Sequence, residues 1–158
     1  MDPLAAARAQ AAGFIRELKP SHRPWTSARR RPPGQVPPVR ALGADEAPPP
    51  GTEVTVRVAD DRIFGSLVVF GLAARLTPLT DTDADKLIRR ASLGRRPEAH
   101  LAAPRDLLLR VSRLADDLPE VTDLDLAPVI AGPDGAFVMN ARIQVTPYEP
   151  QDPLPVRI

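Results

Sequence analysis

The chain reads as an α+β domain, a small antiparallel sheet with two helices, preceded by an arm rich in proline and arginine. Three observations predict it. Val54, Val56 and Val58 alternate with polar residues, the period of a half-buried strand. Leu107, Val111, Leu114 and Leu118 recur at the spacing of one helix face. Gly132-Pro-Asp-Gly135 separates two strand-like runs and predicts a hairpin.

Taken in order, Pro3–Leu18 is rich in alanine, with Phe14, Ile15 and Leu18 near its end, and predicts a short helix stopped by Pro20. From Pro20 to Pro50 prolines repeatedly remove backbone donors, which sustains neither a helix nor an inner strand. Residues 1–48 are therefore expected to be that helix and a largely disordered linker. The composition changes at Gly51, so the folded domain is expected over 49–147, with 148–158 as a tail.

Within the domain, the strand over Thr52–Val58 is expected to turn at Asp60-Asp61 and pair antiparallel with the apolar run from Ser66 to Ala73. That run is nearly continuous, which predicts cover on both faces. Thr80 precedes Asp81-Thr-Asp83, an N-cap hydroxyl with early carboxylates, and Ala84, Leu87, Ile88 and Ala91 form a stripe, so a helix is expected from there to Leu93-Gly94. A second helix is expected over Ala103–Leu118. The hairpin then joins Val121–Ala131 to Ala136–Val145, with Phe137, Met139, Ala141, Ile143 and Val145 on one face. A symmetric turn sets Ala131 against Ala136, Ala127 against Asn140 and Asp125 against Arg142.

Composition narrows the function. The formal net charge is +1, divided as +4 in residues 1–50 and −3 in 51–158. A general nucleic-acid role is not indicated, and Arg29-Arg30-Arg31, with no interleaved aromatics, reads as solvated linker. The absence of cysteine excludes disulfides and thiolate chemistry. No apolar run approaches a membrane span and Met1–Lys19 lacks the pattern of a secretory signal, so a cytoplasmic location without membrane association is expected. His22, among prolines, and His100, in a loop, stand beside no nucleophile signature and read as exposed; Trp25 is an isolated ring in the arm.

Several blocks occur in the order of a known family: Pro50-Gly-Thr-Glu-Val-Thr-Val-Arg-Val-Ala-Asp-Asp, Ile63-Phe-Gly-Ser-Leu-Val-Val-Phe-Gly-Leu, Leu76-Thr-Pro-Leu-Thr-Asp, Asp106-Leu-Leu-Leu-Arg-Val-Ser-Arg-Leu, Leu124-Asp-Leu-Ala-Pro-Val-Ile and Asn140-Ala-Arg-Ile. Together they resemble the C-terminal part of the ATP-grasp domain of NDP-forming acyl-CoA synthetases, the ADP-forming acetate–CoA ligases, some of which are fused to a GNAT acetyltransferase. The resemblance implies a partial ATP-grasp fold. For intact relatives it implies conversion of acyl-CoA, ADP and phosphate to acid, CoA and ATP through a phosphohistidine, with ATP or ADP and Mg²⁺ as cofactors.

Departures from the family pattern weigh against activity. Its Leu-Asp-aliphatic-Asn-Pro motif is Leu124-Asp125-Leu126-Ala127-Pro128 here, and its Asp-Ala-Arg is Asn140-Ala141-Arg142. By resemblance Ala127 and Asn140 occupy metal positions, one with no ligand atom and one without its charge, whereas Mg²⁺ requires oxygen ligands in octahedral geometry. The chain also passes from Ala73-Ala74 almost directly to Arg75-Leu-Thr-Pro, a shorter connection than the family's, and no counterpart of the lysine-bearing first subdomain precedes Pro49. By resemblance Glu53 and Asp125 lie on the nucleotide side. An exposed strand carboxylate, or a cross-strand pair of Asp125 with Arg142, explains them equally well. The expectation is a partial, inactive ATP-grasp domain that binds no cofactor tightly by itself. Its alternatives are a subunit active only with a partner chain supplying the remaining ligase domains, or a non-catalytic interaction module.

Overall fold

The computed structural model describes residues 3–18, 39–42, 47, 49–61, 65–90 and 100–147. Among the described residues there are three helices: α1 (Pro3–Leu18), α2 (Asp81–Arg90) and α3 (Ala102–Asp117). The strands are β1 (Val39–Ala41), β2 (Thr52–Asp61), β3 (Gly65–Phe70), β4 (Ala73–Leu76), β5 (Val121–Gly132), β6 (Gly135–Val138) and β7 (Ala141–Val145). They form one sheet in the order β1-β6-β5-β2-β3-β4, with β7 beside β6 on the same flank of β5. All pairings are antiparallel except β1 with β6. The α+β architecture expected from periodicity is the one found.

All three helices lie on one face of the sheet. Val56, Val58, Val68, Phe70, Leu124 and Leu126 point into a core closed by Leu107, Leu108 and Val111 of α3 and Ala84, Leu87 and Ile88 of α2. Burying each large apolar side chain of this kind contributes about 1.5–3 kcal/mol. α1 covers β7 and β1 and sends Ala7 and Phe14 into the same core.

Helix α2 begins where a reciprocal cap forms. The Asp83 N–H donates to Thr80 Oγ1 at 3.1 Å, and the Thr80 N–H donates to Asp83 Oδ2 at 3.1 Å, satisfying two otherwise orphan donors. Arg75 of β4 pairs with Asp83 at 3.2 Å, and Arg105 of α3 with Asp85 at 2.6 Å, tying α2 to its neighbours. The Thr80 N–H hydrogen bond and then the Thr80 hydroxyl, helped by the charges of Arg75 and Lys86, hold the Asp83 carboxyl below the usual aspartate range against an opposing desolvation.

Several local expectations are corrected. Asp60 and Asp61 are not a turn but pair with Ser66 and Gly65; the connection at 62–64 lies outside the described residues. The run 66–73 divides at Gly71, whose φ of 60° allows a reversal that L side chains rarely adopt. Leu72 at its tip is fully exposed, and Leu67 and Val69 are only half-buried, because helices cover one face of β3 alone. Val39–Ala41 forms a strand inside the segment expected to lack one, drawn in by the free edge of β6 and by burial of Val39. Residues 19–38, including His22, Trp25 and Arg29-Arg30-Arg31, lie outside the described residues, as do the tail 148–158 and residues 91–94, where the end of α2 is expected.

The second hairpin strand is interrupted. β6 ends at Val138 and β7 begins at Ala141, and the inward face changes parity between them: Val138 is buried in the main core, Phe137 belongs to a separate cluster, and Ile143 and Val145 pack on the main core again. Phe137 therefore does not share a face with Ile143. β5 shifts at the matching place. Val54 pairs with Val129 and Val56 with Leu126, so Ala127 and Pro128 together oppose the single residue Thr55. This bulge accommodates a proline within an inner strand, where its missing N–H breaks no regular ladder.

Candidate functional site

Because the helices occupy one face, the other face carries the sheet's exposed polar side chains. On β2 these are Glu53 and Arg57, with the half-buried Thr55 between them, alternating with the buried valines. Pairing extends this pattern across the sheet. Arg57 lies beside Asp125 of β5, and Asp125 lies beside Arg142 of β7, a row of three residues in cross-strand register. Arg57 and Arg142 are exposed, whereas Asp125 is half-buried with its Oδ1 fully buried and without a hydrogen-bond partner.

The register expected from the Gly132-Pro-Asp-Gly135 turn holds from Ala131 to Asp123 and slips before Val121, and Ala127 and Asn140 meet through a backbone hydrogen bond between the two ladders. Ala131 pairs with Ala136, Asp125 with Arg142, and the Ala127 N–H donates to the Asn140 carbonyl at 3.2 Å. Met139 N–H donates to the Pro128 carbonyl at 3.0 Å, so the two irregular segments remain joined through the bulge. Ala127 is half-buried and Asn140 exposed. The cross-strand ion pair considered for Asp125 and Arg142 is not formed; among the described residues the ion pairs are those of Arg75, Arg105 and Arg110.

Glu53 is exposed on the same open face but pairs with Ile130, beyond the bulge. At ~3.3 Å per residue it stands about 13 Å along β2 from Arg57. Beside it, Ile130, Phe137 and Leu42 make a small apolar cluster separate from the main core. The structure thus brings Ala127 to Asn140 and Asp125 to Arg142, and leaves Glu53 apart. His100 is half-buried immediately before α3 rather than exposed.

The residue that hairpin reasoning alone did not bring to Asp125 is Arg57. Its outward direction is visible in the alternation of β2, but its neighbour is set by pairing with a strand more than sixty positions away.

The donor chemistry here does not suit a divalent metal. Ala127 offers only a methyl group, Asn140 a neutral amide, and Asp125 has an arginine beside it on each side. Among the described residues no group of three or more His, Cys, Asp or Glu is placed to hold a metal ion. No helix among them is long and apolar enough to cross a membrane.

Comparison with known proteins places this sheet. A family model described as an ATP-grasp domain matches residues 38–145, a span that begins just before β1 and ends with β7. The beta subunit of ADP-forming acetate–CoA ligase II of Pyrococcus furiosus is 36% identical over 115 residues, a match covering 60% of this chain and 49% of that one. The beta subunit of ligase I from the same organism is 32% identical over 114 residues, with the same coverage of 60% and 49%. The chain thus spans about half the length of these curated relatives. Among solved structures, the dinucleotide-forming acetyl-coenzyme A synthetase 1 of Candidatus Korarchaeum cryptofilum, in complex with coenzyme A and Mg-AMPPCP, superposes with a TM-score of 0.57 at 32% identity, covering 63% of this chain and 55% of that one. A Pyrococcus horikoshii protein gives a TM-score of 0.58 at 33% identity, covering 65% and 52%. The chain belongs to the ATP-grasp domain family, as a part of the domain that ADP-forming acetate–CoA ligases contain.

Proposed function

We propose that the open sheet face is the nucleotide-facing half of an ATP-grasp site altered at its metal positions, and that these 158 residues by themselves do not catalyse the acyl-CoA ligase reaction. One observation carries the reading. Ala127 and Asn140, the positions that resemblance assigns to the metal, are paired at the β5 bulge, yet they present no carboxylate. Phosphoryl transfer depends on a metal neutralising charge on the phosphates, and the hard oxygen set needed for Mg²⁺ is depleted there. Glu53 and Asp125 are proposed to line the nucleotide side.

A second reading is favoured by the relatives that are named as beta subunits. In that reading the face becomes functional when a partner chain supplies the remaining ligase domains and closes over it. The test is ATP formation from acetyl-CoA, ADP and phosphate. The chain alone is expected to give none; addition of a partner that binds it is expected to restore turnover in the second reading and to leave it absent in the first. Robust ATP synthesis by the chain alone would defeat both.

A further inference from the structure

We propose that Arg57, Asp125 and Arg142 form a metal-independent anion site on the open face, which takes a phosphate-bearing group of more than one charged centre, such as a diphosphate. This rests on the reading that the open face is the ligand side of the domain, and it names the ligand chemistry that remains once the metal positions are depleted.

The three residues occupy adjacent strands in the order β2, β5, β7 and point away from the helices. With strands ~4.8 Å apart, the arginine backbones stand about 10 Å from each other, within reach of two extended side chains meeting above the central strand. Both are exposed, and neither makes an ion pair or side-chain hydrogen bond among the described residues. The row has one negative and two positive groups, so its net charge favours an anion.

Asp125 has two effects. Its carboxylate repels an anion lying directly on β5, so the ligand sits above the row between the guanidinium forks. Its Oδ1 is buried and lacks a donor, a condition that costs free energy and leaves both exposed guanidinium groups free for the ligand. Asp125 thus acts on the ligand through its place between the two arginines in cross-strand register. A guanidinium presents paired N–H donors matched to phosphate oxygens, unlike the single point charge of lysine. The same two cations oppose a divalent ion at Asp125. Arginine therefore replaces the metal as the source of positive charge on this face.

The test uses the full 158-residue chain, inorganic pyrophosphate and excess EDTA, with binding followed by calorimetry and by ³¹P NMR. Saturable binding with a Kd on the order of 1 mM is expected. Arg57→Ala and Arg142→Ala should each weaken it about tenfold, the loss of a charge-assisted contact, while Arg113→Ala, on the exposed surface of α3, should not change it. Arg57→Lys separates the fork from the charge and should retain only part of the affinity, with circular dichroism reporting the fold. Asp125→Asn should relax the difference between phosphate and pyrophosphate, a change in selectivity that loss of stability alone does not produce. No saturable binding in EDTA, binding only when Mg²⁺ is added, or an equal loss in Arg113→Ala would overturn the site. Such a failure leaves the ligase-related reading intact, since that stands or falls on ATP formation.

Discussion

Ala127 and Asn140 are joined by a backbone hydrogen bond of 3.2 Å, which makes them the natural pair for a chemical repair. Replacing Ala127→Asn supplies an oxygen ligand, and Asn140→Asp supplies charge. Together they are expected to raise Mn²⁺ or Mg²⁺ affinity by roughly tenfold more than the product of the single changes, the coupling expected of ligands sharing one ion. A titration of the four variants measures this, and strict additivity would show that the two positions do not converge on one metal. The pairing was legible in sequence because a short turn transmits register locally. Arg57 beside Asp125 was not, because β2 and β5 are remote in sequence and the bulge at Ala127-Pro128 shifts their alignment. A different constraint acts at Gly132, where an added Cβ would lie 2.6 Å from the Pro50 carbonyl oxygen, and at Gly51, where it would meet that of Ala131 at 2.7 Å. Backbone cannot yield as a flexible side chain can, so Gly132→Ala is expected to destabilise by about 2 kcal/mol in urea unfolding.

At the scale of elements, α2 shows how much a few polar residues decide. Thr80→Ala removes the hydroxyl that accepts from the Asp83 N–H and is expected to cost about 1 kcal/mol. The partner carboxylate adds a pH signature. The folded-state pKa of Asp83 is lowered, so its contribution is fully present above the ordinary aspartate value of about 3.9 and is lost as the pH falls through the lowered value. Asp83→Asn should remove that acid-side slope, which an NMR titration of the α2 amides checks. The helices were readable from their apolar stripes and from the Thr80 cap. β1 and β4 were not: Val39–Ala41 is too short to show a period and pairs in parallel with β6, and β4 follows β3 without any break in hydrophobicity except Gly71.

Across the whole molecule, α1 lies outside the matched span of 38–145 yet belongs to the core through Ala7 and Phe14. Phe14→Ala is expected to lower stability by about 3 kcal/mol and to expose the surface of Ile143 and Val145; an unchanged unfolding midpoint would mean that α1 does not hold this position in solution. The proline-rich composition of 20–38 leads to the further expectation that limited proteolysis cuts there first. Protection of that segment in the isolated protein would move the domain boundary. One face of the sheet is closed by helices and the other carries the Arg57–Asp125–Arg142 row and the Ala127–Asn140 pair; in the reading proposed above, the fold retains the ligand side of an ATP-grasp domain without its metal chemistry. Calorimetric titration of the isolated chain with Mg²⁺–ATP tests that claim most directly. The account predicts no stoichiometric binding in the micromolar range, whereas a one-to-one isotherm with micromolar Kd, abolished by EDTA, would contradict it.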